Sequence, residues 1–139
     1  MPDTTPRTGG CGCGAVRFAL DAAPLDAGYC HCTRCQHRTG TALSASARVE
    51  RGTVRVTQGS EELRTWRLDD GLGKVFCGLC GAALFAADRE DGTPLAVRMA
   101  AFDEDPGVRP SLHQFTAYAA VWAPIPDDGL PRHPERRPS

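Results

Sequence analysis

Seven cysteines carry the chemistry legible in this chain, and they fall into two groups. Cys77-Gly-Leu-Cys80-Gly81 sets two thiols three positions apart, so both can face one ion. The glycine that follows relieves crowding where backbone amides turn toward sulfur. Cys11-Gly-Cys13-Gly14 is a second glycine-flanked pair. Together the two pairs supply four sulfurs, enough to close a tetrahedral structural site of the kind zinc occupies. One ion held this way would tie an early strand to a late one. Such a site contributes about 10–16 kcal/mol of apparent binding energy. The net stability of a whole domain is only about 5–15 kcal/mol, so loss of the metal is expected to unfold the chain. The competing reading of Cys77 and Cys80 is a redox pair of the thioredoxin type. That pair sits at a strand-to-helix turn, whereas the AALFAA that follows Gly81 favours a strand.

The second group is Cys30-His-Cys-Thr-Arg-Cys35, three thiols within six residues. Three sulfurs leave a tetrahedral ion one ligand short. Either His31, His37 or His113 closes the site as an ordinary Cys3His centre, or the fourth position stays open to water or substrate. Both remain open at this point. Three thiolates on a divalent zinc leave a local charge of about -1, which blunts its power to acidify water. An open site of this kind suits a fourth thiolate, held deprotonated at neutral pH as a nucleophile. Addition of that sulfur to an aldehyde is the simplest reaction the set supports. The negative charge needs a counterweight, and Arg34 and Arg38, which flank the loop, are the candidate substrate-binding residues. His31 and water are both candidates for the proton donor.

Positioning these groups requires a scaffold. A chain of 139 residues suits one domain. Gly 15 and Pro 11 favour short strands and turns over long helices. AVRFAL alternates, placing Val16, Phe18 and Leu20 on one face. Residues 43–49 and 53–57, joined at Arg51-Gly52, read as a hairpin. Residues 63–68, 74–77, 83–87, 95–102 and 115–122 read as further strands, and only residues 33–39 look helical. The expected class is mainly β. Residues 1–8 are expected to be a flexible N-terminus, residues 9–125 the zinc-binding domain, and residues 126–139 an extended, proline-rich tail.

The formal net charge of -1 gives no electrostatic basis for a general nucleic-acid or membrane binder. Nor does any apolar run approach the roughly 20 residues that span a bilayer. MPDTTPRTGG lacks the charged and apolar regions of an export signal, so a soluble, cytoplasmic protein with reduced cysteines is expected. Lys74 is the only lysine, and arginine carries the remaining positive charge.

GGCGCGAVRF (residues 9–18), CHCTRCQHRTG (residues 30–40) and FCGLCGAALF (residues 76–85) resemble, in order and spacing, the glutathione-dependent formaldehyde-activating enzyme family, which also includes centromere protein V. AFDEDPGVRPSLHQF (residues 101–115) and VWAPIPDD (residues 121–128) extend the resemblance to roughly residues 8–130. It implies a β-tent fold of short antiparallel sheets with two zinc sites. The structural ion would lie on Cys11, Cys13, Cys77 and Cys80, and a more exposed, open one on Cys30, Cys32 and Cys35. The activity it implies is condensation of formaldehyde with glutathione to S-hydroxymethylglutathione, formally a carbon–sulfur lyase reaction. His37 stands where the family often has arginine. His113 and Trp122 match recurrent positions, and His113 is expected to be a buried histidine bonded to backbone. The expected partners are therefore a small-molecule thiol and an aldehyde. A non-catalytic zinc module for protein binding or metal and redox sensing is the alternative, favoured by an exposed apolar patch near residues 115–125.

Overall fold

Val16, Phe18 and Leu20 point into the core, each at most 1% exposed, as their alternation requires. In the computed structural model, which describes residues 6–138, Phe18 and Leu20 belong to β2 (Arg17–Leu20). This strand pairs antiparallel with β1 (Arg7–Gly10) on one side and β5 (Val54–Gln58) on the other, giving a three-stranded sheet. Eight strands make the second sheet: β3 (Asp26–Cys30), β4 (Ser44–Arg48), β6 (Leu63–Trp66), β7 (Gly73–Cys77), β8 (Ala83–Ala87), β9 (Pro94–Arg98), β10 (Pro110–Gln114) and β11 (Arg132–His133). Their order is β11-β10-β3-β4-β9-β8-β7-β6. All pairings are antiparallel except those of β10, which runs parallel to both β3 and β11. The one α-helix among the described residues, α1 (Thr33–Thr39), follows β3. The chain is thus mainly β, built from short, largely antiparallel sheets.

The two sheets meet over a small core. Phe18 of the smaller sheet lies edge-on to Phe85 of the larger, with ring centroids 5.2 Å apart, and to Phe102 at 5.6 Å. Ala27, Ala47, Val75, Cys77 and Val97 complete the contact from the larger sheet. Successive residues of a strand point to opposite faces, so these residues define the core face.

The opposite face follows from register. Lys74, Ala86, Ala96, Arg48 and Asp26 lie directly opposite one another across β7, β8, β9, β4 and β3. The next row holds Arg98, Ser46 and Gly28, and the one after it Ser44 and Cys30. Cys77 therefore faces the core, while Cys30 shares the other face with Lys74 and Arg98.

Several elements differ from those the sequence predicts. Residues 43–49 and 53–57 do not form a hairpin. Gly52 turns the chain as expected, at φ 85°, but β4 stays in the large sheet and β5 crosses to the small one. The reason is the core, for Ala47 and Val49 line it from one side while Val54 and Val56 pack against it from the other. Residues 115–122 are not a strand. Phe115 takes the left-handed conformation, φ 57°, and a 3-10 turn (Thr116–Tyr118) follows. The strand here is β10, which ends one residue earlier. Strands β1, β3 and β11 are additional. Arg7 and Thr8 form the start of β1, while residues 1–5 of the expected N-terminal segment lie outside the described residues. The tail docks through β11, with further backbone bonds from the His113 and Phe115 amides to the Pro131 and Glu135 carbonyls.

Candidate metal centres

Cys11 and Cys13 lie in the turn between β1 and β2, Cys77 ends β7, and Cys80 lies in the turn into β8. Their four sulfurs come within 4.8 Å of one another. The Cys11–Cys13 separation is 3.7 Å and the Cys13–Cys77 separation 4.0 Å. A tetrahedral ion with metal–sulfur bonds of about 2.3 Å spaces its ligands about 3.8 Å apart, so the set fits zinc. Backbone amides point at sulfur as the glycine-rich loops allow: Val16 N–H donates to Cys11 Sγ at 3.2 Å and Leu79 N–H to Cys77 Sγ at 3.4 Å. The Ala82 and Cys13 amides lower the Cys80 thiol to about 6, favouring the thiolate that binds metal. Cys80 leads into strand β8 rather than a helix, so the turn a thioredoxin-type pair uses is absent here.

Cys30, Cys32 and Cys35 form the second cluster, again within 4.8 Å of one another. Cys30 is the last residue of β3, and Cys32 caps α1, accepting from the Cys35 amide at 3.2 Å. A seven-residue helix is too short to stand alone. Its cap and the left-handed Gly40 at its end, whose amide bonds the Gln36 carbonyl, fix both termini. Ser44 Oγ donates to Cys35 Sγ at 3.3 Å. Hydrogen bonds from Cys30, Cys32 and Ser44 pull the Cys35 thiol down to about 2 against the opposing effect of burial. Sharing its proton with Cys32 and Cys35 pushes the Cys30 thiol up.

No histidine joins these three sulfurs among the described residues. His31 and His113 are 2% and 1% exposed, and His31 Nε2 lies 2.8 Å from His113 Nδ1. His113 Nε2 lies 2.8 Å from Asp128 Oδ2, and Tyr29 stacks on the His113 ring. His113 is therefore buried as expected, but its ring bonds side chains rather than backbone. His37 is exposed and lines a shallow cleft with Trp122.

The two flanking arginines diverge. Arg34 reaches away to Asp70, with its Nη2 3.1 Å from the carboxylate. Arg38 lies over the Phe76 ring, 5.0 Å from its centroid, and its buried Nε has no partner. Sequence reasoning missed Lys74 and Arg98, which share the sheet face of Cys30, and the Ser44 that bonds Cys35. Burial, followed by the charge of Arg98, lowers the Lys74 ammonium, while the three cysteines oppose that shift. Arg98 donates to Ser46 Oγ at 3.0 Å, and its Nε is also buried without a partner. An open groove of about 590 Å³ runs from Cys11 and Gly12 to Ser44 and Arg98, joining the surroundings of the two clusters. Its size is that of an ordinary small-molecule site.

A mainly β chain that gathers four cysteine sulfurs at one point and three at another is a protein whose clusters could hold metal ions. The family model described as glutathione-dependent formaldehyde-activating enzyme matches residues 6–118, a span that includes both clusters, and the chain belongs to that family. The fold is similar to the crystal structure of a Rhodobacter sphaeroides protein that is 30% identical. That match covers 74% of this chain and 91% of the other, with a TM-score of 0.52. No curated protein matches the chain. No helix among the described residues is long and apolar enough to cross a membrane.

Proposed function

We propose that this chain is a zinc-dependent enzyme or carrier that joins a small thiol of the glutathione type to an aldehyde such as formaldehyde, a carbon–sulfur lyase-type reaction. The observation that carries the reading is the second cluster, in which three cysteine sulfurs converge beside a groove with no fourth protein ligand among the described residues. Cys11, Cys13, Cys77 and Cys80 would hold the structural ion, and Cys30, Cys32 and Cys35 would hold the other. Bound there, zinc supplies one service, holding the substrate sulfur as thiolate at neutral pH. Helix α1 positions Cys32 and Cys35, and Ser44, which bonds Cys35, also lines the groove. The sulfur adds to the carbonyl carbon, forming a carbon–sulfur bond as the carbonyl electron pair moves to oxygen. That oxygen takes its proton from water in the groove, because His31 is buried with Nε2 committed to His113. The reading places the protein in the cytoplasm, where thiols stay reduced.

The test is the rate of S-hydroxymethylglutathione formation followed by NMR. Zinc-loaded protein accelerates it, and Cys32→Ser, which spares the structural cluster, abolishes the acceleration. No acceleration, with no change at the second metal on adding glutathione, would refute the reading. A second reading draws on the exposure of Tyr118 (45%), Val121 (95%) and Trp122 (71%), an apolar surface on which a zinc module could receive a protein partner. It predicts a second metal centre indifferent to thiols.

A further inference from the structure

Arg38, Lys74 and Arg98 form a cationic cluster that the role of the cysteines leaves unused. The other face-sharing cation, Arg48, is taken by Asp26 at 2.6 Å. None of Arg38, Lys74 and Arg98 has a carboxylate partner among the described residues. Small residues separate them: Ala86 and Ala96 stand in the row between Lys74 and β4, leaving the face open to long side chains. Arg98 lies opposite Ser46, two residues along β4 from the Ser44 that bonds Cys35, and it lines the groove. Arg38 enters from α1, three residues after Cys35, and Phe76 supports its guanidinium. The buried Nε groups of Arg38 and Arg98 are both without acceptors, as is that of Arg137, whose guanidinium already pairs with Asp26. Native proteins seldom leave such donors unmatched unless a ligand or ion completes them.

The geometry points to Arg98, assisted by Lys74 and Arg38, as the binding site for a carboxylate of the thiol substrate, so that the centre selects anionic thiols over neutral ones. This rests on the open-site reading given above. Charge balance supports it. A divalent ion on three thiolates carries about -1, and a fourth thiolate brings it to about -2. The three side chains supply one positive charge more than that requires, which suits one carboxylate. Arginine is the residue for the task, because its planar fork matches a carboxylate with two parallel hydrogen bonds. Glutathione, named in the family description, has this chemistry: a thiol flanked by carboxylates.

The experiment is calorimetric titration of zinc-loaded protein with glutathione and, separately, with 2-mercaptoethanol, which has the thiol and no carboxylate. Arg98→Met and Lys74→Met are expected to weaken glutathione by about tenfold or more each. Both should weaken 2-mercaptoethanol by a clearly smaller factor, and added salt should weaken glutathione more than 2-mercaptoethanol. Arg55→Met, on the small sheet, is the control. Equal losses for both thiols would overturn the proposal, since the cations would then only offset thiolate charge. Unchanged glutathione binding in both variants would overturn it as well. If neither thiol binds the wild type, the open-site reading fails and takes this proposal with it. Should Arg98→Met fail to fold, Lys74→Met carries the comparison alone.

Discussion

The Ser44 hydroxyl donates to Cys35 Sγ, and this bond from outside the loop separates the second cluster from a chance grouping of cysteines. Ser44 is the most testable link in that account, because it lies outside the cluster's own loop, opposite Cys30 on the neighbouring strand. Ser44→Ala should lower the metal affinity of the second cluster by about tenfold, the usual effect of losing an outer-shell bond, and leave the first unchanged. Competition with a chromophoric chelator would read both. Asp26 offers a pH-dependent test of the scaffold. Hydrogen bonds from Arg48, then Arg137, hold its carboxyl below the ordinary 3.8 against a partial burial that raises it. The folded value lies below the unfolded one, so the stabilisation is complete above the unfolded value and disappears as pH falls through the folded one. Asp26→Asn should cost about 1 kcal/mol near neutrality, with the gap from wild type narrowing below about pH 4 in denaturant titrations. At this scale the cysteines were legible because their spacing and bracketing glycines are local. Lys74, Arg98 and Ser44 were not, since they meet only through the register of four strands. Arg34 shows the converse: adjacency in sequence puts it beside the loop, while its side chain pairs with Asp70, which no local pattern announces.

Among the elements, the corner between β4 and β5 shows what pattern reading misses. The turn at Arg51-Gly52 was readable from residue types, but not whether the chain would pair back or change sheets. That choice belongs to the core, which takes apolar side chains from both strands. In the same way, β3 and β10 are short and mixed in polarity, and their parallel pairing depends on partners about 80 residues away. Gly59 guards the packing of the small sheet. It has φ 78°, and a Cβ there would run into the carbonyl of Ala15. Gly59→Ala should cost about 2 kcal/mol or more, combining left-handed strain with backbone displacement. Gly52→Ala has φ 85° with open space around it and should cost only about 1 kcal/mol. Urea unfolding of the two variants would show the difference, and equal costs would contradict the close approach at Ala15.

Across the whole molecule, the two clusters lie on different sides of one sheet and have different duties. The cluster of four joins the β1–β2 turn to the end of β7, a strand that faces the core, so it links the two sheets. Cys77→Ser should therefore abolish cooperative thermal unfolding, because the metal contributes about as much as the domain's net stability. Cys32→Ser should keep a cooperative transition, with stability within about 2 kcal/mol of wild type. The central claim is that the cluster of three keeps one coordination position for a substrate thiol. Cadmium NMR of the fully loaded protein tests it most directly, because the metal's chemical shift separates four-sulfur from three-sulfur coordination at each site. Two resonances are predicted, one of each kind, with the three-sulfur signal moving to the four-sulfur range on addition of glutathione. A second signal that reports four protein ligands, and does not move with glutathione, would contradict the account.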